Sequence, residues 1–586
     1  MVKRFLITTS IKKSWIKNKP VLFLGEWCKK FSQKDIWEAM NSETLAYHWD
    51  DRAKFSRDYK YLKALHETLL NDLTKQLNQI HNVNYKMNYW RLLIGPWLMV
   101  FTQILFDRWT CIQNAVNNNT ISSSIVLKDN EDKFVPYDTS DFFSRLVAGD
   151  EWDHYIYGKI LQLHTDVICE EKKGLKFAAI KKDATPLNTW KQKLKKNILG
   201  CYEKFSRYFS TDQDFFFIST YMGNFDSIKL QLKLGQLPQF WALKHTKKID
   251  VDKIKRQWKL TGKANTGFEV FLQDMIVQQI PTTFLEGYPD LMVQVQGLNW
   301  PKNPKVIFTS NSHISNDVFK AWAGDKIDKG SSLVIGQHGG HYGTGRLSSN
   351  EEHEIAISSV FFSWGWRDYK VKKVKPVGML KRILPLDKKK LCRKEILLIT
   401  TATPQKSYRM YSATISRQWL DHFNDNSNFV KNLPVEICNS ITVRLHPQDK
   451  DWCQVQRWRE RFPLLHLNNK RSDVYNLMNK SRLVICTYNA TSMLESMLLN
   501  IPTILFWNPK QWEIRPSAKP YFENLKKTNV FHETPESAAL HLKSIWGDIE
   551  SWWMSNEVQE AINQFKGMYC KQSDSILDDI KNELLS

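Results

Sequence analysis

The stretch LVIGQHGGHYGTG, Leu333–Gly345, starts as a run of buried-type residues and then breaks into five glycines and two histidines. An apolar strand that exits into glycines is where the backbone of an α/β protein comes close to a ligand or to another element. Imidazoles at that exit can exchange protons near neutral pH. The plain alternative is a tight turn carrying ordinary surface histidines.

The sequence on either side supports a parallel α/β reading. Upstream, KVIFTSNS (Lys305–Ser312) reads as a strand. It is followed by the amphipathic segment ISNDVFKAWAG, with Asn316 or Asp317 placed to cap a helix. FFFISTYM (Phe215–Met222) and FFSWGW (Phe361–Trp366) add two more apolar runs. Buried strand, helix, buried strand is the pattern of parallel winding. A second such series follows in EILLITTA, ITVRLHP, LLHLN, SRLVICTYN and PTILFW, with helical segments around Trp452–Arg461, Arg471–Asn479 and TSMLESMLLN between them.

These patterns divide the chain. Residues 1–366 form an N-terminal domain that opens on the strands FLITTS and VLFLGEWC and carries a helical insertion over about 35–210, including YLKALHETLLNDLTKQLNQI and loops such as DATPLN. Residues 367–393, rich in lysine and interrupted by prolines, read as a linker. Residues 394–530 form a Rossmann-like domain, and 531–586 a helical tail expected to pack back across the cleft.

At 586 residues the chain exceeds one hydrophobic core, and 42% hydrophobic and 13% aromatic residues mark it as globular. The net charge of +22 calls for an anionic partner: nucleic acid, an acidic lipid surface or a phosphorylated substrate. No zinc-finger spacing, RNA-binding aromatic signature or basic region leading into heptads occurs, so no nucleic-acid partner is expected. Nine cysteines without a CxxC pair read as reduced thiols of a cytoplasmic protein. The segment Trp90–Trp109 is apolar, but it has arginines near both ends and Gly95-Pro96 inside; it reads as a buried or interfacial helix. A cytoplasmic protein peripheral on the anionic inner membrane fits the charge.

Candidate chemistry lies at the strand ends. ITVRL runs into His446-Pro447, and LVICTYN runs into Ala490-Thr491-Ser492 ahead of a helix carrying Glu495. Hydroxyls and amides at a helix N-terminus suit a phosphate, and His446 and Arg444 can add positive donors. An ordinary helix cap and an ordinary strand-end turn are the plain readings of the same residues. The chain has no GxxxxGK[ST] and no GxGxxG opening either half, which disfavours P-loop and dinucleotide enzymes. His338 and His341 have HxxH spacing, and Glu351, Glu352, His353 and Glu354 follow, but a charged loop explains them and no metal is expected.

Taken together these features resemble GT-B glycosyltransferases, with two Rossmann-like domains facing a cleft. More narrowly, His-Pro plus a downstream Ser/Thr pair resembles bacterial transferases that use CMP- or CDP-activated donors, among them capsule sialyl- and Kdo-transferases and glycerol-phosphate polymerases of teichoic acid synthesis. Over nearly its whole length the chain is similar to a family of transferases from bacterial O-antigen and surface-polysaccharide clusters. That likeness is carried by NYWRLLIGPWL, QHGGHYG with EEHE and FFSWGW, and NATSMLESMLLNIPTILFW.

The resemblance implies that His446, Pro447, Arg444, Thr491, Ser492 and Glu495 hold the donor phosphate and nucleotide. It implies His338, on the turn formed with Gly336, Gly339 and Gly340, as catalytic base, and His341 as a second candidate. If configuration is retained, Glu351, Glu352 or Glu354 would be the nucleophile. The sequence departs from the polymerase pattern in placing a second glycine and His341 after His-Gly. It also lacks the acidic motif of the sialyltransferases; Gly25-Glu26 and Gly149-Asp150-Glu151 come nearest. The expected co-substrate is a nucleotide-activated sugar, without further cofactor, and the expected acceptor a lipid-linked glycan. A CDP-activated polyol-phosphate transferase and a non-catalytic polysaccharide- or membrane-binding protein are the alternatives.

Overall fold

The computed structural model describes residues 2–147, 149–175, 202, 211, 214–383, 395–469 and 474–586. Among them the chain builds three sheets, and every pair of neighbouring strands is parallel. The fold is α/β throughout, because parallel strands must return through helices that cover both sheet faces.

The first sheet has the order β3-β2-β1-β4-β5, from β1 (Arg4–Ile7), β2 (Val21–Phe23), β3 (Ser42–Thr44), β4 (Ile121–Lys128) and β5 (Ile168–Lys173). Three of these strands fall inside the range expected to be a helical insertion. The reason is compositional: β4 begins ISSS and buries only the short apolar run Ile125–Leu127, and β5 is the largely exposed edge strand ICEEKK. The helices Arg52–His81, Gly95–Asn118 and Asp150–His164 pack around this sheet. The Asp51 carboxylate caps the first of them, accepting from Ala53 N at 2.9 Å and Lys54 N at 3.0 Å.

The Trp90–Trp109 segment spans two helices, Met87–Leu93 and Gly95–Asn118, bent by 66° where Pro96 begins the second. Trp90 and Trp97 are fully buried, so its apolar surface serves the core. Among the described residues no single helix is long and apolar enough to cross a membrane, though this bent pair passes the test jointly.

The second sheet, order β10-β9-β8-β7-β6, contains β6 (Phe216–Phe217), β7 (Val306–Thr309), β8 (Ser332–Gly336), β9 (Val360–Phe362) and β10 (Val374–Lys375). The edge strand β10 lies in the segment read as linker, so this domain runs past Trp366. The third sheet, order β13-β12-β11-β14-β15-β16, contains β11 (Glu395–Ile399), β12 (Ile441–Arg444), β13 (His466–Asn468), β14 (Ser481–Cys486), β15 (Thr503–Phe506) and β16 (Phe531–His532). Its last strand extends the Rossmann-like domain beyond residue 530. The tail then returns to the second sheet: Ile580 and Leu584 of the helix Ile576–Leu585 join the cluster of Leu230, Phe308 and Val334. Residues 176–201 and 203–210 of the expected helical insertion, including the DATPLN loop, most of the linker's end, and the start of the helix expected at Arg471 lie outside the described residues; Val474–Met478 is helical.

The second and third domains meet where their strands end. The segment after β8 is stitched into the third domain by backbone bonds: Arg515 N donates to Thr344 O at 2.9 Å, and Ser412 N to Leu347 O at 2.9 Å. Isolated bridges pair Gly345 with Ile514 and Ser348 with Tyr411.

Candidate functional site

The glycine turn is shaped by close neighbours. Gly336 closes β8, where a Cβ would stand 2.7 Å from Ser310 Oγ. Gln337 is fully buried and both ends of its amide are engaged: Nε2 donates to Gly339 O at 2.7 Å, while Oε1 accepts from Trp364 N at 2.9 Å and Trp366 Nε1 at 2.8 Å. The FFSWGW segment therefore holds the turn in place. Gly340 N donates to Thr491 Oγ1 at 3.0 Å, and a Cβ on Gly340 would lie 2.5 Å from Thr491 N. The glycine is needed because the N-terminus of the helix Thr491–Leu498 rests on it.

Two cavities open around this contact. The smaller, about 200 Å³, is lined by His338, His341, Tyr342, Asn350, Arg409 and Thr491 among others. The larger, about 790 Å³, has His313, Glu354, Lys406, Arg409 and Lys450 on its polar side. Met99, Val100 and Phe143 from the first domain form an apolar side. Asn350 and Arg409 line both, so the two are parts of one cleft at the carboxyl ends of the second and third sheets.

A chain of buried polar groups connects them. Tyr342 Oη donates to Glu354 Oε1 at 2.8 Å and lies 3.5 Å from His338 Nε2. On the other side His313 Nε2 is 3.3 Å from Glu354 Oε1, with both side chains at 1–2% exposure. Burial pushes His338 below the ordinary imidazole range, and burial takes His341 down to about 4. Both rings are neutral at pH 7.

The neighbouring acids differ in availability. Glu351 accepts from Arg515 Nη2 at 2.6 Å and from Gly343 N at 2.9 Å; burial raises its pKa against the opposing pull of Arg515. It is a clamp for the turn, which speaks against the nucleophile role. Glu352 pairs with Lys63 at 2.8 Å on the surface. Of the four residues EEHE, Glu354 and His353 line the larger cavity.

Arg409 stands at the junction. Its guanidinium lies over Tyr411 at 4.6 Å and Tyr408 at 5.1 Å, and among the described residues no carboxylate pairs with it. Burial lowers the Lys450 pKa, and the Arg409 charge pushes it further the same way. Lys450 and Asp451 adopt left-handed backbone, φ 55° and 66°, which costs a non-glycine residue about 1–2 kcal/mol. Both His313 ring nitrogens, His353 Nε2, Glu354 Oε2 and Arg409 Nε are buried without an aligned hydrogen-bond partner. Buried polar atoms normally have partners; these five lie on the cleft, with others elsewhere in the molecule.

The expected donor residues distribute unevenly. Thr491 lines the smaller cavity, whereas Arg444, His446, Pro447, Ser492 and Glu495 line neither. His446 Nδ1 is taken up by its own turn, 2.8 Å from Gln448 O, and Pro447 is exposed. Arg444 Nη1 donates to Leu445 O at 2.6 Å, and Ser492 Oγ is 3.2 Å from Tyr488 Oη. Glu495 is buried and paired with Lys381 at 3.1 Å. The strand ends were located correctly in the sequence, but the side chains fold back onto local partners. The cavity wall comes instead from Pro404–Arg409 after β11 and Gln448–Asp451 after the His-Pro turn. Sequence reasoning passed over His313, four residues past the end of β7, and Arg409, ten residues past the end of β11 in the run Tyr408-Arg409-Met410-Tyr411; only His313 carried a signal, its place close to a strand end.

Among the described residues the group of His, Cys, Asp and Glu close enough to share a metal is His48, Asp107 and Cys111. It lines neither cavity, and Asp107 already accepts from Tyr47 Oη at 2.8 Å and bonds Arg108. His338 and His341 do not form such a group.

Parallel sheets meeting at a polar, ligand-sized cleft beyond their strand ends are the arrangement in which α/β proteins bind ligands. The chain belongs to the LIC12162 family of transferases, whose model matches residues 4–584. No curated protein matches it. Among solved structures it is similar to the wall teichoic acid polymerase TagF soaked with CDPG, at 10% identity over 69% of this chain and 98% of that one, with a TM-score of 0.30. MurG of Acinetobacter baumannii is 10% identical over 61% and 87%, TM-score 0.29. WaaG, a glycosyltransferase of lipopolysaccharide biosynthesis, is 10% identical over 51% and 95%, TM-score 0.26. Scores this low establish no detailed equivalence of residues.

Proposed function

We propose that this transferase is a GT-B-type glycosyltransferase that moves a sugar from a nucleotide-activated donor, with CMP as the first nucleotide to test, to a lipid-linked glycan acceptor of bacterial surface polysaccharide. The observation that carries the proposal is Arg409. A cation sheltered between two tyrosines, without a carboxylate, at the junction of two cavities is a site for an anion. Lys450 adds charge from one side and the Thr491 amide end from the other. A departing nucleotide phosphate there would be stabilised by fixed donors. The apolar wall of Met99, Val100 and Phe143 offers room for a less polar acceptor, and the charge of +22 suits an anionic inner-membrane surface, where the protein would work from the cytoplasmic side.

The test is thermal stabilisation by CMP, CDP, UDP and GDP in parallel, on wild type and Arg409→Ala. One nucleotide should raise the melting temperature in the wild type, by the RT ln(1 + [L]/Kd) of specific binding, and not in the variant. Absence of a shift with all four would favour a binding protein without catalysis. Preference for CDP over CMP would favour polyol-phosphate transfer.

A further inference from the structure

We infer that the proton-accepting base of this transferase is His313, oriented by Glu354, and not a histidine of the glycine turn. The inference rests on the transfer reaction proposed above and names the residue that performs one step of it.

Three observations on the same cleft carry it. The first is placement: within the one cleft His313 and Glu354 line its larger part, about 790 Å³, whereas His338 and His341 line the narrower part, about 200 Å³; Arg409 lines both. A nucleotide-linked sugar and an acceptor hydroxyl need a site in the range of several hundred Å³. The second is pairing. His313 Nε2 sits 3.3 Å from Glu354 Oε1, and that same oxygen receives the Tyr342 hydroxyl at 2.8 Å, which fixes the carboxylate. A carboxylate behind an imidazole selects the tautomer and stabilises the imidazolium once it forms. A 3.3 Å separation is the loose version expected before substrate tightens the site. The third is unmet hydrogen bonding. Both nitrogens of His313 and Oε2 of Glu354 are buried without an aligned partner, with the two side chains at least 98% buried; His338 Nδ1 and both His341 nitrogens share this property, so it marks the cleft, while placement and the Glu354 pairing single out His313. Polar groups this deep normally have partners.

The turn histidines are worse placed. His338 faces Tyr342 across 3.5 Å, and His341 is packed behind Gly345, where a Cβ would overlap its ring. In our assignment His338 positions Tyr342, and Tyr342 positions Glu354. The helix Ser312–Ser315 that carries His313 starts three residues past β7, so the imidazole is delivered by a strand end.

The step balances simply. The acceptor hydroxyl gives its proton to a His313 ring nitrogen while its oxygen forms a bond to the anomeric carbon of the donor. The bond from that carbon to the phosphate oxygen breaks, and its electron pair leaves with the nucleotide toward Arg409. His313 then returns the proton to water as the products depart.

The experiment measures nucleotide released from CMP-, UDP- and GDP-linked sugars, with a detergent-solubilised bacterial lipid extract as acceptor. Thermal shift with the free nucleotide runs alongside on the same proteins. His313→Ala should keep the nucleotide shift and lose turnover by about 100- to 10,000-fold, the range of general-base contributions, and added imidazole should restore part of it. Glu354→Gln keeps an acceptor for Tyr342 and should lower kcat with KM unchanged. Wild-type turnover in His313→Ala would overturn the inference while leaving the function intact. Lost turnover without imidazole rescue, with equal loss in Glu354→Gln of nucleotide binding, would also overturn it, as the signature of a purely structural pair. A wild type that neither binds nor releases any nucleotide would overturn the function and this inference together.

Discussion

Replacing Gly340 by alanine probes the contact on which the cleft depends. The new Cβ would stand 2.5 Å from Thr491 N, 2.6 Å from the Ala490 carbonyl carbon and 2.7 Å from Thr491 Cα. All three are backbone atoms, so no side chain can swing aside. Ordinary contact needs about 3.4 Å, and the helix Thr491–Leu498 must therefore retreat from the turn by roughly 1 Å. Overpacking of this kind costs about 1–3 kcal/mol, and loss of the bond from Gly340 N to Thr491 Oγ1 adds about 1 kcal/mol. The expected destabilisation is about 2–4 kcal/mol, a urea midpoint lower by roughly 1 M at an m of about 3 kcal/mol/M. Gly339→Ala is the control: its Cβ meets only the Tyr342 ring, at 3.4 Å, and should cost less than about 1 kcal/mol. Chemical denaturation of the three proteins, followed by tryptophan fluorescence, decides the matter. Equal midpoints for Gly340→Ala and wild type would refute the packing of the turn on the helix.

Three further outcomes follow from the structure. Lys406 Nζ lies 2.6 Å from both Asp150 Oδ1 and Asp153 Oδ2, tying the loop after β11 to the first domain; Lys406→Met should destabilise by about 3 kcal/mol in denaturation, and an unchanged midpoint would contradict the latch. His154 accepts from Leu127 N at 2.9 Å through Nε2, and burial holds its pKa at about 4. The unfolded chain therefore takes up that proton first: the contribution is complete above about pH 6.5 and is lost as pH falls toward 4, about 3 kcal/mol in all. Midpoints measured between pH 7 and 4.5 should fall for wild type and fall less for His154→Gln; equal slopes would refute the assignment. Finally, His446→Ala and Ser492→Ala should weaken the nucleotide shift far less than Arg409→Ala, because neither residue lines the cavities. Equal loss in all three would return the phosphate to the His-Pro and Ser/Thr pair.

Legibility in the sequence tracked burial. The strands β7, β8, β11, β14 and β15 are largely buried runs rich in apolar residues, and β12 is a mostly buried one, so each could be read directly. β5, with glutamates and lysines exposed at a sheet edge, carries no such signal, and in β4 three serines leave only the short run Ile125–Leu127; both were hidden within helical composition. The site was legible where a strand end coincides with an unusual residue run, as at QHGG and at Thr491. Arg409 and His313 were not, because what distinguishes them is the company they keep in space: two tyrosine rings without a carboxylate for Arg409, and Glu354 from a distant helix for His313. Conversely, Glu495 and His446 looked available and are engaged by Lys381 and by the Gln448 backbone.

The most direct test is a crystal structure of the protein soaked with CMP. The phosphate should lie within hydrogen-bonding distance of the Arg409 guanidinium, in the cleft between the glycine turn and the Lys450 loop. A nucleotide bound on any other surface, with Arg409 still facing only Tyr408 and Tyr411, would contradict the account.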